Sequence, residues 1–223
     1  MSIEKIQLRK LLRLFYATDP KRRSILRADI YGDIKKEADE DEDEDGGGDF
    51  HVPFWADAKR HVDGAVDLLS QTKMRIEKNE RRRNLYPQLA AGFLKWWNEK
   101  RRWRNEKFIF IKDVKGRVQF PKLNGIVRVE NLLPLRIDGQ FARIVYPYFS
   151  DVPVLPDEGA RLGLWLMHEA LPNYPLEDLR LLDVLRSKSF GIIDVPLHGD
   201  ERHLFEVKYE SVLSEWKKLK DKK

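Results

Sequence analysis

The chain of 223 residues contains no cysteine. That absence excludes disulfide bonds, cysteine nucleophiles and thiolate ligands for a metal ion. Long apolar runs are missing too: the most apolar stretch, residues 162–171, contains His168 and Glu169 and is much shorter than the ~18 residues that span a bilayer. The N-terminal segment alternates charged with apolar residues and lacks the unbroken apolar run of a signal peptide. These absences predict a cytoplasmic protein that contacts no membrane.

Signatures of catalysis and cofactor binding are also missing from the sequence. The one glycine run, residues 46–48, has no following lysine, and its acidic neighbours would repel a phosphate. No serine stands in a pattern that would pair it with a histidine and an acid. We therefore expect no cofactor and no assignable catalytic residue, and the sequence favours a non-enzymatic protein.

Charge is abundant and unevenly distributed. Charged residues make up 35% of the chain, against about 25% in an average domain, and the formal net charge is +5. Residues 1–36 hold ten basic and four acidic side chains, residues 37–49 hold nine acidic and no basic ones, and residues 59–107 hold fourteen basic and six acidic ones. The basic excess of the N-terminal half suits a polyanionic partner such as nucleic acid.

Periodicity along the chain predicts an α+β fold with a mostly helical N-terminal half, an antiparallel hairpin-rich sheet in the middle and a helical C-terminus. Composition divides the chain into N-terminal helices (1–36), an acidic disordered linker (37–49), a basic helical region (50–106) and an α+β region (107–223). We expect the last two to pack as one domain. The linker could alternatively mimic nucleic acid and screen the neighbouring basic helices.

Individual segments carry more specific predictions. Residues 2–17 have the spacing of an amphipathic helix, and a second helix follows from Asp19 to about residue 36. A strand at 108–111 is expected to turn back at 113–116 onto 118–120, and the dipeptides 124–125 and 138–139 predict further hairpins. Pro134 predicts a break or an edge position.

The C-terminal third carries two helix predictions and one ambiguity. Residues 157–171 are apolar on nearly all sides, which predicts a buried helix. Asp200 is the expected cap of a final helix, in which apolar residues recur at spacings of three and four. Residues 176–186 are compatible with a helix or a strand.

The strongest functional pattern lies in residues 73–107, where basic clusters flank tryptophans. A helix that begins or kinks at Pro87 would reach about residue 104 and place Trp96, Trp97 and Trp103 at core spacing. The remaining cations would face solvent, where they could hold phosphates. The candidate nucleic-acid-binding residues are Arg81, Arg82, Arg83, Lys95, Lys100, Arg101, Arg102 and Arg104.

Metal-dependent nuclease chemistry has weaker support. The order of elements loosely resembles the restriction-endonuclease fold, which implies an acidic residue and then an acid-x-lysine pattern on the next strand. Asp138 could be the first acid, but the following strand lacks that pattern, so we expect a catalytically degenerate version at most. The densest group of other ligand types is His198, Asp200, Glu201 and His203. We assign no metal-binding residue.

The sequence therefore leads to one main hypothesis and two alternatives. The main one is a nucleic-acid-associated protein that contacts the phosphate backbone of DNA or RNA through basic helices. The first alternative is a protein–protein adaptor that uses its tryptophans, Tyr146, Tyr148 and Phe149 as interface anchors. The second is the degenerate restriction-endonuclease-like fold.

Overall fold

A computed structural model describes residues 3–38, 50–101, 108–111, 113–137, 139 and 141–222 of the chain. These residues form seven α-helices and eight strands, with helices towards both ends and most strands in the middle, so the predicted α+β class is confirmed. The helices are α1 (Leu8–Tyr16), α2 (Asp19–Ala38), α3 (Val52–Val62), α4 (Leu68–Lys78), α5 (Tyr86–Lys95), α6 (Asp157–Ala170) and α7 (Glu201–Lys220). The strands are β1 (Lys5–Gln7), β2 (Phe108–Phe110), β3 (Gly116–Phe120), β4 (Gly125–Val129), β5 (Leu133–Ile137), β6 (Phe141–Tyr148), β7 (Leu179–Asp183) and β8 (Lys188–Phe190).

The strands form two mixed sheets. The smaller sheet has the order β1-β4-β3 and the larger one the order β2-β5-β6-β7-β8. Hairpins join β3 to β4 and β5 to β6 as antiparallel pairs, and each sheet adds one parallel pair, β1 with β4 and β6 with β7. The connection from β6 to β7 contains α6, as parallel neighbours require a long crossover.

The larger sheet separates two hydrophobic cores. Because successive side chains on a strand point to opposite faces, Ile144 and Tyr146 of β6 enter one core and Val145 enters the other. The first core is completed by α1, α6, α7 and the smaller sheet. The second core is completed by α3, α5 and the π-helical turn Trp96–Lys100 that follows α5.

The N-terminal segment differs from its prediction. Residues 5–7 form a strand rather than the first turn of a helix, and the helix starts only at Leu8. The reason is tertiary: Ile6 lies in register beside Val127 of β4, and both side chains are buried in the first core. Strand pairing thus overrides the helical spacing of a short segment.

The predicted hairpin between residues 108–111 and 118–120 is wrong. Strand β2 belongs to the larger sheet and β3 to the smaller one, so the turn at 113–116 connects two sheets. Pro134 ends the pairing of β2 with β5: the Ile111 N–H donates to its carbonyl at 3.0 Å, but proline has no N–H to return. The hairpin at 124–125 is confirmed, with Asn124 in the left-handed region at φ 50°.

The C-terminal helices agree with the sequence. Residues 159–167 of α6 are all buried, and α7 buries the stripe of Phe205, Tyr209, Val212 and Trp216. The ambiguous segment, residues 176–186, contains strand β7.

The predicted cap of α7 is wrong. Asp200 precedes α7 but its side chain does not cap the helix, because its carboxylate accepts from Arg161 Nη1 at 3.0 Å instead.

The acidic tract lies almost entirely outside the described residues, because α2 ends at Ala38 and the description resumes at Phe50. Both interpretations of the tract, linker and nucleic-acid mimic, therefore stay predictions. The domain boundaries that composition suggests stay predictions as well.

Candidate functional site

The three consecutive arginines Arg81–Arg83 lie between α4 and α5. They begin in a 3₁₀ turn, in which successive side chains point about 120° apart. Arg82 holds its guanidinium 5.4 Å from the centre of the Tyr86 ring and donates to a carbonyl of α4 at 3.3 Å. Arg83 forms an exposed ion pair at 2.6 Å with the glutamate three residues before it. Their contacts therefore differ, and Arg82 has a structural role.

The second predicted cluster lies at the other end of α5. Lys95 and Lys100 are exposed, and Arg101 is half-buried. Arg102 and Arg104 fall outside the described residues. Helix α5 and the π-helical turn separate this cluster from the three arginines by about 20 Å at 1.5 Å per residue. The described residues of the two clusters therefore do not come together.

The tryptophans confirm the core interpretation. Trp96 and Trp97 are 5% and 8% exposed, and both rings lie in the second core against Phe93, at centroid distances of 5.7 and 6.4 Å. Trp103 lies outside the described residues. Burial of this kind leaves little ring surface for stacking on a base.

The π-helical turn directs Arg101 back over the helix. The Arg101 N–H donates to the carbonyl of Trp96, five residues earlier, at 2.8 Å, and the chain then becomes extended. The Arg101 side chain folds onto Trp97, with its Cζ 3.6 Å from the ring centre and its Nε donating to the Trp97 carbonyl at 2.5 Å. Two contacts to one residue hold the guanidinium over the aromatic ring.

Arg101 faces a pocket of about 360 Å³ at the edge of the second core. Among the described residues that line it, five carry a positive charge and one, Asp194, a negative charge. The cations are Lys100, Arg101, Arg143, Arg180 and Lys188, and the apolar lining comes from Trp96, Trp97, Leu135, Ile137 and Ile193. We call this site the cationic pocket.

Two arginines of the cationic pocket lie on adjacent strands and are not among the binding residues predicted from the sequence. Arg143 on β6 and Arg180 on β7 point to the same face of the larger sheet, because Arg180 lies in register with Val145, two residues beyond Arg143. Nη1 of each guanidinium donates to the same carbonyl oxygen, that of Glu177, at 3.0 and 2.8 Å. The signal available in the sequence is a single arginine among the apolar residues of each strand.

Backbone packing fixes the position of Arg180. A second bond from its Nη1 to the carbonyl of Leu179 measures 2.6 Å. Gly191 lies directly against the guanidinium, because a Cβ at that position would come 2.6 Å from the Arg180 Cζ. The carboxylate of Asp194 accepts from the Gly191 N–H at 2.8 Å, so the pocket's acidic residue shapes the loop beside Arg180.

Acidic side chains act on several cations of the pocket. Lys188 pairs with exposed Asp157 at 3.1 Å and lies 4.3 Å from the Phe190 ring centre. Near the two strand arginines, burial raises the pKa of Asp178, while the positive charges of Arg143 and Arg180 act in the opposite direction. Converging like charges repel one another, and an anion bound between them would relieve that repulsion.

Comparison of the chain with family models, with curated proteins and with solved structures finds no match. No helix among the described residues is both long enough and apolar enough to cross a bilayer.

The residues proposed for nuclease chemistry do not assemble within the described part of the chain. Asp138, the candidate first acid, lies outside that part. The acid-x-lysine spacing occurs off the strands at two places: at Asp113–Lys115, in the turn between β2 and β3, and at Glu206–Lys208 on α7, where Lys208 binds Glu158 at 2.9 Å.

The group of possible metal ligands at the start of α7, His198, Asp200, Glu201 and His203, also has a structural role. Glu201 accepts from the backbone N–H groups of His198 and Gly199 and from Arg161 Nη1 at 2.8 Å, so its carboxylate is already bonded on several sides. Across the described ranges, no three histidine, aspartate or glutamate side chains are placed to hold a metal ion.

Proposed function

We propose that the protein binds single-stranded nucleic acid without catalysis, and that the cationic pocket is the contact site. The observation that carries the proposal is the convergence of Arg101, Arg143 and Arg180 from three separate elements on one cavity. Guanidinium groups are the side chains best suited to phosphate, since they can offer two parallel N–H bonds to its oxygens.

The shape of the site favours a single strand over a duplex. A cavity of about 360 Å³ is the size that encloses one small ligand, and it can take one phosphate with part of its nucleoside. A base can enter such a cavity only when it is unstacked, as in single strands and loops. The Arg101 guanidinium, held over the Trp97 ring, offers a planar cation on which that base could stack.

The aromatic anchors of the adaptor alternative that the structure describes are buried. Tyr146, Tyr148 and Phe149 are 0%, 1% and 3% exposed, and Trp96 and Trp97 are also buried. Side chains that already fill the cores cannot supply the aromatic contacts on which that alternative depended.

The test is a binding titration with a fluorescently labelled oligonucleotide of about ten nucleotides, within the usual site sizes for such proteins. Arg143→Gln should weaken binding about tenfold, because it removes a charge-assisted contact to phosphate. The slope of log affinity against log salt should become shallower by about one.

Lys122→Gln is the matched control, because Lys122 is equally cationic but lies exposed in the turn between β3 and β4. It should leave both affinity and salt slope unchanged. Equal losses for the two variants, or an affinity that is insensitive to salt between ~50 and ~200 mM, would contradict the proposal.

A further inference from the structure

The floor of the cationic pocket is one face of the larger sheet. Leu135 of β5 lies in register with Arg143 of β6, so both side chains point to the same face. Arg180 of β7 points to that face too, because it lies in register with the residue two positions beyond Arg143. Backbone hydrogen bonds join the three strands, so a ligand held by the two arginines cannot pass through the floor.

The second core closes the pocket at one end. Two positions beyond the arginines on β6 and β7, Val145 and Leu182 point to the same face and are fully buried in that core. Past the end of β7, the turn to β8 is joined to α5, because the Ser187 hydroxyl donates to the Gly92 carbonyl at 2.7 Å. The helix and the turn are in direct contact, since a Cβ at Gly92 would overlap the carbonyl oxygen of Val184. A bound chain therefore cannot continue past this end of the pocket.

The two strand arginines place a bound phosphate inside the pocket. Arg143 and Arg180 lie on its floor, where both Nη1 atoms donate to the Glu177 carbonyl at 3.0 and 2.8 Å. Two guanidinium groups anchored on one oxygen atom are close enough to contact one phosphate group together. Arg101 lines the same pocket from the end of the π-helical turn. A phosphate bound to the floor arginines is thus enclosed between the sheet and that turn.

The closed end and the volume of the pocket favour the end of a strand over its interior. An internal phosphate joins two nucleosides, whereas a pocket of about 360 Å³ has room for a phosphate and part of one nucleoside. Both halves of an internal strand would also have to turn back through the same opening. A terminal phosphate has one attached nucleoside and a charge of about −1.5 to −2 near neutral pH, whereas an internal phosphodiester has a single negative charge. The larger charge strengthens its attraction to the arginines.

We propose, on the basis of the proposed function, that the cationic pocket binds the terminal phosphate of a single strand. Arg143 and Arg180 bind the phosphate oxygens, and Arg101 contacts the attached nucleoside. The rest of the strand leaves through the opening of the pocket. A free mononucleotide carries the same phosphomonoester group, so binding of both sources is measured.

The test uses oligonucleotides of one sequence and about ten nucleotides, labelled on a central base so that both ends are available. They carry hydroxyl groups at both ends, a 5′ phosphate or a 3′ phosphate. Fluorescence anisotropy should show about tenfold tighter binding for one phosphorylated form than for the hydroxyl form, because the terminal phosphate adds a charge-assisted contact. The form that binds more tightly identifies which end enters the pocket.

Competition identifies the source of the phosphate. The adenosine monophosphate with its phosphate at the preferred position should displace the phosphorylated oligonucleotide, and adenosine should not. Displacement should need a concentration at least about tenfold higher than that of the unlabelled oligonucleotide, because the rest of the strand adds contacts to other cations. A mononucleotide that binds as tightly as the strand would assign the pocket to free nucleotides and overturn the proposal.

Matched variants connect the preference to the pocket. Arg180→Gln and Arg143→Gln should each remove the preference for the phosphorylated form, and urea denaturation checks that both variants fold. Lys122→Gln should retain the preference, since Lys122 is exposed in the turn between β3 and β4. A preference that persists in both folded arginine variants would overturn the proposal.

Two results separate this proposal from the proposed function. Equal affinities for the three oligonucleotides, together with weaker binding by Arg143→Gln, would overturn recognition of the terminal phosphate and leave the proposed function intact. No binding of any oligonucleotide would overturn both.

Discussion

The arginines at 81–83 and those of the cationic pocket show two ways in which a chain can gather charge. The first three are neighbours in sequence, yet the 3₁₀ turn points them apart: Arg82 lies on Tyr86 and Arg83 pairs with a glutamate. Arg143 and Arg180 are 37 positions apart, yet parallel pairing places both on one carbonyl oxygen. Charge density along a sequence is therefore a weak guide to charge density in space.

Charge-reversal variants should show most clearly which of the two arginine groups binds the oligonucleotide. The double variant Arg143→Glu, Arg180→Glu should weaken oligonucleotide binding by about 100-fold or more at low salt, because it replaces two converging cations with anions. The triple variant Arg81→Glu, Arg82→Glu, Arg83→Glu should weaken it less than about threefold. Fluorescence anisotropy measures both.

The triple variant should instead affect stability. Loss of the Arg82 contact with Tyr86 should lower the free energy of unfolding by about 1 kcal/mol, measured by urea denaturation. If the triple variant lost more affinity than the double variant, the assignment of binding to the cationic pocket would be reversed.

A smaller effect is expected from Gly191→Ala, which displaces a charge without removing it. The added Cβ would come 2.6 Å from the Arg180 Cζ, so the guanidinium must move. Binding should weaken about fivefold, which corresponds to roughly 1 kcal/mol. The same titration reports the change.

Gly32→Ala is the control for that substitution. Among the described residues, no heavy atom outside the adjoining part of α2 lies within 4 Å of the position of its Cβ, and Gly32 lies within α2, where alanine should raise stability by about 0.5–1 kcal/mol. Its affinity should equal that of the unmodified chain. An unchanged affinity in Gly191→Ala would show that the position of Arg180 is irrelevant to binding.

The smallest predicted effect is an increase in oligonucleotide affinity. Asp178→Asn removes a negative charge that acts on both Arg143 and Arg180, so oligonucleotide affinity should rise about two- to threefold at low salt. The gain should disappear at high salt, where exposed charges are screened. A loss of affinity would mean that Asp178 contributes by positioning the arginines.

Local sequence patterns were sufficient to predict several elements of the fold. The apolar residues of α6, the stripe of α7 and the hairpin at Asn124 follow from spacing and turn chemistry, because each depends on residues close in sequence. The burial of Trp96 and Trp97 follows from the same spacing.

Local patterns could not predict which distant segments pair with each other. The parallel pairing of β1 with β4, the separation of β2 from β3 and the meeting of Arg143 with Arg180 each join segments distant in sequence. Periodicity describes which face of an element is apolar but does not identify its partner. The candidate site was for this reason only partly predicted: Lys100 and Arg101 were expected, and the two strand arginines were not.

The pairing of β1 has a consequence for how the chain folds during synthesis. Lys5 aligns with Ile126, and the Tyr209 hydroxyl donates to the carbonyl of Ile3 across 206 positions. Ile3 is thus synthesised 206 positions before its contact on α7, and strand β1 is synthesised 121 positions (126 − 5) before its partner in β4. Until then it is an unpaired strand, the kind of segment that chaperones shield from association with other chains.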